Sequence, residues 1–128
     1  MISGVSVGSI NAAGAGLFGE GEDDEMAEYL INLWNEMTSD QVWRFWNSSN
    51  PVAGLVSEAG LLDNTPLYNF VLNKLKEKDA QIKKRVLVSA NDAQTGAYVD
   101  FSLTEFKDAE LIASSILGSA AVPLFFPP

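Results

Sequence analysis

The chain has 128 residues, enough for one domain with its own core but small for a three-layer α/β fold. It holds no cysteine and no histidine, which excludes a disulfide framework, a thiolate or imidazole metal site, and a Ser-His-Asp triad built from these residues. Eight basic against seventeen acidic residues leave a net charge of −9, which disfavours nucleic acid and broad attraction to anionic membranes.

Met1-Ile2-Ser3 reads as the end of a strand. Gly4-Val5-Ser6-Val7-Gly8 follows at once with the pattern G-x-S-x-G. Such a pattern lets a chain turn sharply from strand to helix and leaves the serine at the apex with its hydroxyl outward. Small residues two positions either side of the apex keep the turning backbone free of clashes, which is the expected reason for Gly4 and Gly8. Ser9-Ile10-Asn11-Ala12-Ala13-Gly14-Ala15 is rich in small residues and free of proline, so a helix can pack closely behind Ser6. Its first amides, that of Val7 above all, would put partial positive charge where an oxyanion develops. Taken alone, the five residues fit two readings: a nucleophile elbow, or a Gly/Ser turn ahead of a buried helix.

Gly19-Glu20-Gly21-Glu22 is a break, and Asp23-Asp24-Glu25 opens a helix with acids where the macrodipole favours them. Met26, Leu30, Ile31, Trp34 and Met37 recur at helical spacing as one apolar face. Val42, Trp43, Phe45 and Trp46 form an aromatic cluster that suits either packing or an interfacial anchor. Asn47 to Pro51 is rich in turn residues. Thr65 is placed to cap the next helix, with Pro66 in its first turn and Leu67, Phe70, Val71 and Leu75 as its buried stripe. Lys83-Lys84-Arg85 reads as a solvated strand edge. Arg85–Ala90 and Ala97–Phe101 read as strands about a Gln94-Thr95-Gly96 turn. Asp108 or Thr104 starts a last helix carrying Leu111, Ile112 and Ile116, and Pro123, Pro127 and Pro128 break the backbone after it. Leu111 to Pro128 holds eighteen residues without a charge, but three prolines and three serines interrupt it, against a membrane span. Nothing at the start reads as a signal peptide, so a cytoplasmic or peripheral-membrane location is expected. Strands interleaved with helices predict an α/β fold with a mainly parallel sheet.

Four ordered blocks carry a resemblance. Gly4-Val5-Ser6-Val7-Gly8-Ser9-Ile10-Asn11-Ala12-Ala13 is similar to the nucleophile block G-T-S-A-G-A-I-N-A of the patatin-like phospholipase family, with Val5, Val7 and Ser9 as the departures. Gly60-Leu61-Leu62-Asp63-Asn64-Thr65-Pro66-Leu67 is similar to its "glldtsPL" segment, and Val88 to Gly96 to its "tatd-x-x-TG" strand and turn. Ser119 to Pro128 resembles its A-S-x-A-x-P-x-x-F-P-P signature, with Gly118 for the leading Ala.

The resemblance implies a three-layer α/β/α fold, of which residues 1–128 would be a partial domain. It also implies a serine lipid acyl hydrolase of phospholipase or lipase type that works through a Ser-Asp dyad without histidine. Ser6 would be the nucleophile; Gly4, Val7 and Gly8 would shape the elbow and its oxyanion donors. The family's aspartate sits in a D-G-G or D-G-A motif after the F-P-P block, and its Gly-rich oxyanion loop lies upstream of the elbow. Both are therefore expected outside these residues, and the piece alone is expected to be inactive. Asp63, Asp92 and Asp100 are the internal carboxylates in or beside family-like blocks; a helix cap suits Asp63 and a backbone-binding turn suits Asp92 better than a base does. No cofactor and no metal is implied. The expected partner is a lipid ester, with peripheral contact to a membrane or lipid droplet. Two alternatives stay open: a non-catalytic patatin-like interaction module, and an acyl-CoA transacylase, which Val5 and the missing histidine disfavour.

Overall fold

A computed structural model describes residues 1–46, 60–122 and 125. Asn47 to Pro51 and the three C-terminal prolines, singled out in the sequence, lie outside the described residues. The described elements are β1 (Ile2–Val5), α1 (Val7–Gly16), α2 (Asp23–Glu36), the short α3 (Ser39–Val42), α4 (Thr65–Lys76), β2 (Val86–Asn91), β3 (Tyr98–Ser102), a 3-10 turn (Leu103–Glu105) and α5 (Ala109–Ala120).

The fold is α/β, with a mixed sheet in the order β1-β2-β3. β1 and β2 run parallel, with Gly4 opposite Val88 and Val5 opposite Ser89. β2 and β3 are antiparallel, with Ser89 opposite Asp100. The hairpin between them follows from the turn chemistry: Asp92 accepts amides from Gln94 and Thr95, and Gly96 takes φ 70°.

Strand alternation sends Ile2, Gly4, Val86 and Val88 to one face, and α1 lies on it. A Cβ built on Gly16 would stand 2.4 Å from Val86 Cγ2, so helix and strand approach as closely as the small residues allow. α5 packs beside α1 on β2, while α2 and α4 pack on those helices. Val86, Val88, Leu103, Ile112 and Ile116 are at most 1% exposed and form the centre of the core. The opposite face carries Val5 and Tyr98, 59% and 67% exposed, so among the described residues the helices cover one side of the sheet.

The stripe of α4 is the expected one: Leu67, Phe70, Val71 and Leu75 are buried. Its start differs. Thr65 is the first helical residue, and the carboxylate of Asp63 takes the Thr65 amide in the capping role. The face of α2 is also shifted: Leu33 is its buried residue, Ile31 is 61% exposed, and Trp34 lies at the rim with its indole donating to Asn11 Oδ1. α5 starts after Asp108, which accepts the Glu110 amide; Ile112 and Ile116 are buried as expected, whereas Leu111 is exposed. Lys83 and Lys84 pair with Glu22 and Asp23, so the basic run is a solvated edge tied to the start of α2. No helix among the described residues is long and apolar enough to cross a membrane.

Candidate active site

β1 ends at Val5 and α1 begins at Val7, so the whole change of direction falls on Ser6. Ser6 adopts φ 55° and ψ −134°, a region that a residue with a side chain rarely occupies. Such a conformation costs on the order of 1–3 kcal/mol and persists only where the surroundings impose it. Part of the imposition is steric. A Cβ on Gly4 would lie 2.2 Å from the Gly8 carbonyl oxygen and 2.9 Å from Ala12 Cβ, so β1 and α1 meet at a distance only glycine permits. Gly8 departs from the sequence expectation, because a Cβ there meets nothing within 4 Å. Its contribution to the close approach is the carbonyl against which Gly4 packs, not its missing side chain.

The rest of the imposition is hydrogen bonding. The Ser6 amide donates to Ser119 Oγ at 2.9 Å, and that hydroxyl donates to the Ser89 carbonyl at 2.6 Å. The Ser6 carbonyl accepts the Ser9 amide at 2.9 Å and the Ser9 hydroxyl at 2.6 Å. Ser9 is fully buried and its hydroxyl also reaches the Ile116 carbonyl, which ties the elbow to α5. The Ser6 side chain is left outside this network. The residue is exposed, and among the described residues its hydroxyl has no hydrogen-bond partner.

The first turn of α1 offers the Val7 and Gly8 amides beside Ser6, with no acidic residue there to offset the positive end of the helix. Val5 and Val7, the neighbours of Ser6 in the chain, are 59% and 56% exposed and give the turn an apolar rim. One strand over, at the C-terminal end of β2, a groove of about 470 Å³ has Val99, Phe101, Phe106 and Leu111 on its apolar walls and Asn91, Asp92, Ser114 and Ser115 as its polar lining.

The internal aspartates are engaged elsewhere. Asp63, 3% exposed, accepts the Thr65 amide and hydroxyl and the Arg44 Nε, the last at 2.6 Å. Burial pushes its carboxyl up, but the Thr65 bonds and the Arg44 charge outweigh burial and hold it below its ordinary range. Asp92 is held low by the backbone amides of Thr95 and Gln94, as its turn position predicts. Asp100 accepts the Ser89 hydroxyl at 2.6 Å. It lies two strands from β1, roughly 10 Å at strand spacing, which is out of reach of Ser6.

In the aromatic cluster, Trp46 donates to the Gly60 carbonyl and Trp43 sits edge-on to Phe45 at 5.3 Å between ring centres. Both tryptophans are half-buried; Phe45 is 61% exposed. Sequence reasoning picked out Ser6 and its glycines but missed Ser9, Ser89 and Ser119, the residues that hold it. All three lie in blocks that resemble the family, but nothing in the sequence marked them as partners of Ser6.

The segment from Gly4 to Gly8 is thus a strand-turn-helix elbow on an α/β sheet with an exposed serine at its apex. The model of the patatin-like phospholipase family matches residues 1–128, the whole chain, and the chain belongs to that family. Family membership makes it, at the coarse level, a lipid hydrolase with lipid substrates. No curated protein and no solved structure matches it.

Proposed function

We propose that Ser6 is the nucleophile of a serine lipid acyl hydrolase that cleaves fatty-acyl esters. The observation that carries the reading is the strained Ser6 backbone, φ 55° and ψ −134°, maintained in a residue that is exposed and whose hydroxyl has no partner among the described residues. Strain imposed by close packing and hydrogen bonds, at the head of a helix, is how a hydroxyl is presented to a carbonyl.

In the proposed reaction, Ser6 Oγ attacks the ester carbonyl, and its proton passes to a general base. The negative charge on the carbonyl oxygen is met by the Val7 and Gly8 amides, and collapse of the intermediate expels the alcohol and leaves an acyl-enzyme that water hydrolyses. Asp63, Asp92 and Asp100 are all committed to other partners, which supports a base supplied from outside residues 1–128, as the family's D-G-G or D-G-A aspartate would be. The apolar rim of Val5 and Val7 and the groove beside β2 suit a fatty-acyl chain.

A fluorophosphonate probe applied to the complete protein should label Ser6, and Ser6→Ala should abolish labelling and ester hydrolysis. Hydrolysis retained in that variant would sink the assignment. Residues 1–128 alone should not turn over a nitrophenyl ester; turnover there would put the base inside them.

A further inference from the structure

We propose that Ser119 is the positioning residue of the elbow: its hydroxyl is inserted into the β1–β2 ladder and sets where Ser6 stands. This rests on the reading of Ser6 as nucleophile.

The argument comes from the register. In the parallel pair, Ile2 lies opposite Val86 and its amide donates to the Arg85 carbonyl at 2.9 Å. A parallel ladder repeats every two residues, so the same pattern advances to Gly4 with Leu87 and then to Ser6 with Ser89. The last bond of the series should therefore run from the Ser6 amide to the Ser89 carbonyl. It does not. At Ser6 the chain swings into α1, and the Ser119 hydroxyl stands between the two groups, accepting from Ser6 at 2.9 Å and donating to Ser89 at 2.6 Å.

A serine hydroxyl has one proton to donate and lone pairs to accept, which is what a spacer between an amide and a carbonyl needs. The ladder is thus continued by one side chain at the point where the backbone leaves it. Ser119 is near the end of α5, whose preceding turn carries Ile116, and the Ser9 hydroxyl in the turn after Ser6 shares its one proton between the Ser6 carbonyl at 2.6 Å and the Ile116 carbonyl at 3.2 Å. α5 therefore grips the elbow on both sides of the nucleophile.

Without the hydroxyl, the Ser6 amide and the Ser89 carbonyl lose their common partner. The elbow can then draw toward β2 to remake the direct ladder bond, or admit water. Either response moves Ser6 Oγ relative to the Val7 and Gly8 amides while leaving substrate contacts elsewhere in place.

The test compares Ser119→Ala, Ser119→Thr and Ser6→Ala in the complete protein, by steady-state kinetics, fluorophosphonate labelling and amide exchange. Displacement of a reacting group by about 1 Å can cost about a hundredfold in rate, so the Ala variant should lose about tenfold to a hundredfold in kcat with KM changed less than about twofold. Thr, which keeps the hydroxyl, should restore kcat to within about threefold of the parent. In the parent the Ser6 amide should exchange slowly, and in Ser119→Ala fast.

Wild-type kcat and labelling in Ser119→Ala, with Ser6→Ala dead, would overturn the positioning role alone. So would an unprotected Ser6 amide in the parent, a readout that stands even if the Ala variant does not fold. Residual hydrolysis in Ser6→Ala would instead overturn the nucleophile reading, and Ser119's positioning role with it.

Discussion

Gly4→Ala and Gly8→Ala make a pair whose outcomes should be opposite, although the two glycines look equivalent in the motif. At Gly4 the new Cβ would lie 2.2 Å from the Gly8 oxygen and 2.6 Å from the Gly8 carbon, both backbone atoms. Ordinary contact begins at 3.4 Å, well beyond both, and neither side can yield cheaply. Gly4 is held in the ladder opposite the fully buried Val88, and Gly8 is in the first turn of α1. Overpacking of this kind typically costs about 1–3 kcal/mol, and the rigid partners put Gly4→Ala at about 3 kcal/mol. At Gly8 the Cβ enters open space, and alanine is about 0.8–1 kcal/mol better than glycine inside a helix. Gly8→Ala should then leave stability unchanged or raise it by up to about 1 kcal/mol. Urea unfolding of the complete protein, followed by circular dichroism, reads both. A Gly4→Ala variant within about 0.5 kcal/mol of the parent would refute the close-packing account, as would a Gly8→Ala variant that loses more than about 1 kcal/mol.

Two further outcomes concern Asp63 and the aromatic cluster. Asp63→Asn should cost about 1–3 kcal/mol at neutral pH, since it removes a charged acceptor from Arg44 and Thr65. The Asp63 carboxyl is held below its ordinary value of 3.8 in the fold, so its stabilisation is present above that value and is lost as pH falls through the lower folded one. Unfolding curves of parent and variant should therefore converge in acid; a gap that stays constant below pH 3.8 would contradict the linkage. Phe45→Ala should change stability by less than about 0.5 kcal/mol and weaken binding to phospholipid vesicles, with a smaller blue shift of tryptophan emission. Equal vesicle binding by parent and variant would leave the cluster a packing feature.

Much of the fold was legible because it is written in local chemistry. The stripe of Leu67, Phe70, Val71 and Leu75 follows from helical period, the Asp92 turn from a carboxylate beside free amides, and the elbow from two glycines flanking Ser6. Period leaves some choices open. It put Ile31 and Trp34 on the buried face of α2, whereas in the fold Leu30 lies against Gly14, Leu33 enters the core and Ile31 is exposed. The site divides in the same way. Ser6 is found by its neighbours in the chain, because the steric demand for Gly4 is set within nine residues by Gly8 and Ala12. Ser119 and Ser89 are 113 and 83 positions away, and each is an ordinary serine until the sheet and α5 bring its oxygen to the elbow. A hydrogen bond carries no signal along the chain, so only the packed structure could show how Ser119 and Ser89 hold Ser6 in place.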